Sequence, residues 1–371
     1  SEMCIRDSIY GMALWFIFSP KPDYSSSEKR YLQKFPEVTA EKLLSGDFGS
    51  EFETFFADRF PQRNTWVGLN AYTALAVGNN GASGVYNCKN GYLINKPVST
   101  ENNLDKNIGA VADFAKSIDT PTTVMLVPST GYIVDDVLPT FHDKYNDDED
   151  ISKISSTLSK DKIGFVDLRE RFKSEYKNGS QLYYKTDHHW TTKGAYTGYQ
   201  ELCKALGITP IDDSTLKKDS YPDFYGTTYS SSGFWLTPPD NIEIWNNPKN
   251  SDRNISVKIT EGANIKTSGS MYFTDHLKED DKYPVFIDGN HALTEITNTN
   301  AKNGTILLIK DSFSHSLAPF LAENYSKVVL VDLRYYKESV SDLVTTYNPE
   351  QVVVLYGIDN LATDTDIVWL K

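Results

Sequence analysis

The sequence predicts a three-layer α/β fold, helices packed on both faces of a mostly parallel sheet, and three observations carry that expectation. Thr305 to Ile309, Lys327 to Leu333 and Gln351 to Tyr356 are short runs rich in Val, Ile and Leu, the pattern of strands buried on both faces. Helix-length segments separate them, as crossovers between parallel neighbours require. Upstream, Leu104, Ile108, Val111, Ala112, Ala115 and Ile118 fall at helical spacing before the apolar stretch Thr122 to Val127. Ile151, Ile154 and Leu158 likewise lead into Ile163 to Leu168, so the alternation of helix and strand begins early.

The other segments follow in chain order. Ile9 to Phe18 is a ten-residue apolar run after Arg6, followed by Ser19-Pro20-Lys21-Pro22. It is too short to span a bilayer, which takes about 20 residues, but has the length of a signal-peptide core. Residues 1–25 are therefore read as a truncated signal peptide or signal-anchor remnant plus linker, the first eight fitting no pattern. On this reading the folded body faces away from the cytoplasm, in the cell envelope, tethered at its N-terminus. Residues 26–371 form a single domain. Within it, Glu51 to Arg59 is a helix whose Phe52, Phe55 and Phe56, with Phe60, share a face read as core. Tyr86 to Ile94 is a hairpin turning at Asn90-Gly91. The acidic run Asn146 to Asp150 is a solvated loop that starts a helix. The stretch 221–300, rich in Gly, Ser, Asn and Asp, with strand-like pieces at Ile255 to Ile259 and Ser270 to Phe273, is a β- or loop-rich insertion.

Composition excludes several functions. The 371 residues carry 37 Lys+Arg against 50 Asp+Glu, a net charge of −13, and no basic stripe, so nucleic acid is not a partner. Cys4, Cys88 and Cys203 are too few and too scattered for a zinc centre or a disulfide framework. No metal or cofactor is expected.

Two constellations carry chemistry. In Tyr184 to Gly194, Asp187 and His189 are two residues apart, so an extended backbone points them the same way. A carboxylate on an imidazole is the arrangement of an oriented general base. In Leu307 to Pro319, an apolar strand ends at Lys310 and Asp311-Ser312 opens a helix. That places Ser312 at the strand edge where open α/β sheets bind ligands. Alone, the first is a polar turn and the second a helix cap; together in one α/β chain they suggest base and nucleophile. Gly357 and Asn360 after a third strand end are candidate oxyanion donors, with a turn as the equal alternative. Arg334 and Tyr335 are candidates for the cleft wall. Trp190, Phe224, Tyr225, Phe234 and Trp235 are either sugar-stacking surfaces or packing residues.

These residues resemble the DHHW family, named for the tetrapeptide standing here as Asp187-His188-His189-Trp190. More distantly the chain is similar to the alginate O-acetyltransferases AlgJ and AlgX of the SGNH hydrolase-like superfamily. The resemblance runs from about Ser27 to the end. It includes Gly84 to Leu93, Phe224-Tyr225-Gly226, Gly289-Asn290-His291 and Lys310-Asp311-Ser312. It implies a permuted SGNH-like fold, with the Asp/His before the serine, and a catalytic set of Asp187, His189 and Ser312. Asn290 and His291 join the candidate substrate-binding residues. Two positions depart from the pattern: Lys310 replaces a glycine, and Asp359-Asn360 reverses an Asn-Asp pair. The implied function is an extracytoplasmic O-acetyltransferase that modifies hydroxyls of an exopolysaccharide or cell-wall polysaccharide through an acetyl-serine. A membrane-bound acyl-transfer protein is the implied acetyl source. Three alternatives stand beside it: an acetylesterase of the same fold, a non-catalytic polysaccharide-binding or assembly protein, and a metal hydrolase using His188, His189 and His315 with an Asp.

Overall fold

Eight strands make the central sheet of the computed structural model: β1 (Thr122–Val127), β2 (Gly164–Asp167), β3 (Ile255–Glu261), β4 (Asn264–Ser268), β5 (Leu293–Asn298), β6 (Asn303–Lys310), β7 (Tyr325–Val331) and β8 (Gln351–Gly357). The structure describes residues 2–20, 22–25, 28–98, 103–161 and 163–370, except the side chains at 2–5, 8 and 9. Ser1, Lys21 and Ser27 of the N-terminal reading above lie outside the described residues. The strand order is β4-β3-β5-β7-β6-β8-β1-β2. From β7 to β2 every pairing is parallel, and β5, β3 and β4 continue the sheet antiparallel.

Alternation within the strands builds two cores. Ile306, Leu308, Val328, Leu330, Val353 and Leu355 face one side, where the helices Thr192–Leu206 and Ser314–Leu321 cover them. Leu307, Ile309, Val329, Val331, Val352 and Val354 face the other, beneath the helices Asn103–Ser117, Asp147–Lys160 and Val340–Tyr347. Both faces are dry, and that is why these strands read as unbroken apolar runs. Each buried Val or Leu contributes roughly 1.5–3 kcal/mol.

The sheet also sets the position of the cleft. From β6 the chain crosses to β7 on one side and then to β8 on the other. The connections diverge at the C-terminal end of β6, which opens a crevice there.

Several expectations need correction. Ser270 to Phe273 is not a strand and contributes only the isolated bridge Tyr272↔Phe286. The stretch 221–300 supplies β3, β4 and β5, extending the main sheet. Phe52 and Phe56 lie on the helix Asp47–Asp58 but are exposed. They pack on other aromatics, Phe35, Phe48 and Phe16 among them, outside the main core. Helical spacing reveals a shared face, not what covers it. In the acidic run, Asp147 is buried and accepts the Ser129 N–H at 2.7 Å. Ile9 to Phe18 lies within the helix Glu2–Phe18. Among the described residues, no helix is long and apolar enough to cross a membrane.

Candidate active site

Asp187, His188 and His189 come from a tight loop between two helices. The bridge Tyr183↔Trp190 closes its base, and the buried carboxylate of Asp240 accepts Lys185 N–H (2.9 Å), Thr186 N–H (2.8 Å) and the Thr186 hydroxyl (2.7 Å). Gly226 crosses so closely that a Cβ there would lie 2.1 Å from Asp187 Cβ. Only glycine fits that approach.

Asp187 accepts at both oxygens. Oδ1 takes the His189 backbone N–H (2.8 Å) and meets His189 Nδ1 at 2.5 Å. Oδ2 takes the Thr227 backbone N–H (2.7 Å) and its hydroxyl (3.2 Å). Burial alone would raise the Asp187 pKa, but the neighbouring imidazoles and the His189 hydrogen bond hold it well below the usual carboxylate range. Across the ring, His189 Nε2 lies 2.7 Å from Ser312 Oγ. The three side chains form one relay, two members from the loop and one from the end of β6.

Two aromatic rings fix the imidazole. Tyr283 stacks on His189 with centroids 3.9 Å apart and planes 10° apart, and its hydroxyl donates to the Ser312 carbonyl at 3.1 Å. Phe313 meets the ring edge-on at 5.1 Å.

Asp311, beside the serine, ties the strand ends together. It accepts Phe313 N–H (2.9 Å), Gly357 N–H (2.8 Å) and Asn360 Nδ2 (2.7 Å). These bonds counter the burial that raises its pKa. Gly357 is therefore not an oxyanion donor, because its N–H is committed to Asp311. Asn360 keeps a second amide hydrogen, and both it and Ser312 line a cleft of about 440 Å³. The Ser312 backbone N–H finds no acceptor among the described residues.

The remaining candidates separate clearly. Arg334 lines the cleft, its guanidinium gripped by Asp332 (2.9 and 2.6 Å) and bonded to Asn290 Oδ1 (2.9 Å). Asn290 is on the same wall. Tyr335 is half exposed and does not line the cleft. His291 is also outside, bonded to Glu261 and the Asp288 carbonyl. Trp190 is fully buried and offers no stacking surface. Its indole N–H bonds the Phe313 carbonyl (3.0 Å) and Ser316 Oγ (2.9 Å), bracing the turn that carries Ser312. Phe224 and Phe234 are buried too, while the Trp235 indole bonds the Asn64 carbonyl. Lys310 is buried, its ammonium bonded to Asp332 (2.8 Å) and His315 Nε2 (2.9 Å).

Metal ligation has a poor fit here. Donor atoms of Asp187, His188 and His189 lie within 4.8 Å of one another. Yet both His189 nitrogens and His188 Nδ1 are already hydrogen-bonded within the protein, and His315 sits against the Lys310 ammonium. A cation beside a cation is unfavourable.

Tyr283, Thr227 and Asp311's clamp escaped the sequence reading. Asp311 stands in the Lys310-Asp311-Ser312 block and Thr227 directly follows Phe224-Tyr225-Gly226, whereas Tyr283 has no comparable signal.

Comparison with known proteins agrees with this architecture. The family model described as DHHW protein matches residues 95–331. A DHHW family protein from Eubacterium siraeum superposes with a TM-score of 0.65 at 17% identity, covering 78% of this chain and 95% of its own. PatB1 from Bacillus cereus gives 0.63 at 21%, covering 76% and 98%. The O-acetyltransferase domain of Pseudomonas putida AlgJ gives 0.50 at 14%, covering 78% and 95%. These similarities establish the shared SGNH-like fold. No curated protein matches the chain.

Proposed function

The chain belongs to the DHHW family, and from that premise we propose that it is a serine-dependent O-acetyltransferase acting on hydroxyls of an extracytoplasmic polysaccharide. The observation that carries this reading is the continuous Asp187–His189–Ser312 relay, with contacts of 2.5 and 2.7 Å, at the cleft beyond β6. The description of the similar AlgJ domain as an O-acetyltransferase supports the reaction class.

In the first half-reaction His189 Nε2 takes the Ser312 proton as Oγ attacks the acetyl carbonyl carbon of the donor. The oxyanion meets the Ser312 backbone N–H and the second amide hydrogen of Asn360. Collapse expels the donor's leaving group, protonated by His189, and leaves acetyl-Ser312. In the second half-reaction an acceptor hydroxyl gives its proton to His189 while its oxygen attacks the acetyl carbon. The bond to Oγ breaks, and Ser312 recovers its proton from His189. Asp187 keeps the Nδ1–H tautomer and balances the imidazolium. Water in place of the acceptor makes the same site an acetylesterase. The donor side belongs to a membrane-bound acyl-transfer partner, and the apolar helix Glu2–Phe18 supports an envelope location with N-terminal attachment.

The test is p-nitrophenyl acetate turnover by the full chain and its Ser312→Ala form, with mass spectrometry of the quenched enzyme. Acetyl trapped on Ser312, and activity reduced at least about 10³-fold in the variant, is the expected result. Turnover that survives Ser312→Ala overturns the nucleophile.

A further inference from the structure

His188 stands beside the catalytic ring without joining its relay. The two imidazoles lie against each other, centroids 3.8 Å apart. His188 lines the cleft with 27% of its side chain exposed. Its Nδ1 lies 2.5 Å from Thr227 Oγ1, and that same oxygen lies 3.2 Å from Asp187 Oδ2.

Thr227 has one hydroxyl proton to give. An ionised carboxylate oxygen only accepts, so the proton points to Asp187. The Thr227 lone pair must then be met by an N–H on His188 Nδ1. The reverse assignment would leave two oxygens without a proton between them at 3.2 Å, which repel. The tautomer is therefore fixed, with Nε2 carrying a lone pair. Burial and the neighbouring His189 push the His188 pKa down to about 3, so the ring stays neutral throughout the neutral range. Nε2 has no hydrogen-bond partner among the described residues and is not fully buried. The ring lines the cleft and the small cavity beside it, which leaves the Nε2 lone pair open to a donor held there.

A neutral acceptor one ring's thickness from the general base is placed to hold substrate. We propose that His188 is an acceptor-binding residue whose Nε2 takes a hydrogen bond from the hydroxyl adjacent to the one His189 deprotonates, so that the site selects vicinal diols, such as neighbouring hydroxyls of a sugar ring. This rests on the acetyl-transfer reading above. No covalent bond forms at His188; it fixes which hydroxyl faces acetyl-Ser312.

The full chain tests this with p-nitrophenyl acetate as donor and trans-1,2-cyclohexanediol or cyclohexanol as probe acceptors, measuring ester formation. The wild type should prefer the diol in kcat/KM by about tenfold beyond the statistical advantage of its second hydroxyl, mainly through KM, as one hydrogen bond predicts. His188→Asn keeps an amide N–H near Thr227 and has nothing at the Nε2 position, so its preference should fall to the statistical value. His188→Gln, with an amide oxygen near that position, should recover part of it. A preference that survives in His188→Asn, or none in the wild type, overturns the assignment. The p-nitrophenol burst reports Ser312 acylation separately. Loss of that burst in His188→Asn, equal to the loss of transfer, would make the residue structural and also overturn the assignment. A wild type without burst or adduct would instead bring down the acetyl-transfer reading itself.

Discussion

Asp187 and Asp359 line one small cavity of about 50 Å³, yet the two corners of the molecule to which they belong treat a buried carboxyl in opposite ways. At the corner of the Asp187–His189–Ser312 relay, Asp187 receives backbone N–H groups, a hydroxyl and an imidazole, and is held ionised. At the other corner Ser129 alone bridges two acids, donating its N–H to Asp147 and its hydroxyl to Asp359 at 3.1 Å. Burial pushes Asp147 up to about 7, with the Asp359 charge adding to it, and pushes Asp359 to about 6. The desolvation cost is of the same kind in both places. The difference is made by the two imidazoles beside Asp187, which have no counterpart beside Asp147 or Asp359.

The strongest way to break this contrast is Asp187→Asn, which removes the charge but keeps the shape. The amide can donate to His189 Nδ1 and so favours the wrong tautomer. A loss in kcat of about 10⁴-fold is expected, measured on p-nitrophenyl acetate. Gly226→Ala attacks the same corner from behind, since the new methyl must displace Asp187. Roughly a 10²-fold fall in kcat should follow, while far-UV circular dichroism stays that of the wild type.

Asp147→Asn sharpens the contrast at the other corner. A carboxyl with a raised folded pKa stabilises most below its unfolded pKa and loses that contribution as pH rises through about 7. Relative to the wild type, the variant's Tm should therefore gain about 3 °C between pH 5 and pH 8, read by thermal melts across that range. Asp187 has the opposite sign: its depressed pKa gives stability above the unfolded value that is lost as pH falls. Smallest is Tyr283→Phe, which keeps the stacked ring but loses the bond to the Ser312 carbonyl. About 1 kcal/mol, or a few-fold in kcat, is expected; no change would reduce Tyr283 to a packing surface.

The two corners were not equally legible in the sequence. Strands β1, β6, β7 and β8 announced themselves because burial on both faces removes polar residues from them. Asp187, His189 and Ser312 stand out because acyl-transfer chemistry demands those residue types near strand or helix ends, and the fold brings the three side chains together. Partners across the fold leave no such pattern. Tyr283 reaches His189 from a short turn in 221–300, and Ser129 meets Asp147 and Asp359 only because β1 and β8 are neighbours. For Gly357 the sequence leaves oxyanion donor and turn as equals, and for Trp190 sugar stacking and packing; the structure favours the second in each pair. Position along the chain showed they were near the serine, but not that Asp311 would capture the Gly357 N–H or that the indole would turn inward.

The order of the relay along the chain has a consequence in time. His189 leaves the ribosome 123 residues before Ser312, and Asp311 waits another 49 for the Asn360 amide. At about 5–20 residues per second, the base exists for many seconds with no serine to activate. The serine in turn precedes the strand end that anchors its neighbour. On the proposed function, a nascent chain therefore has no means of capturing acetyl groups from small esters around it until the segment through Asn360 has been made.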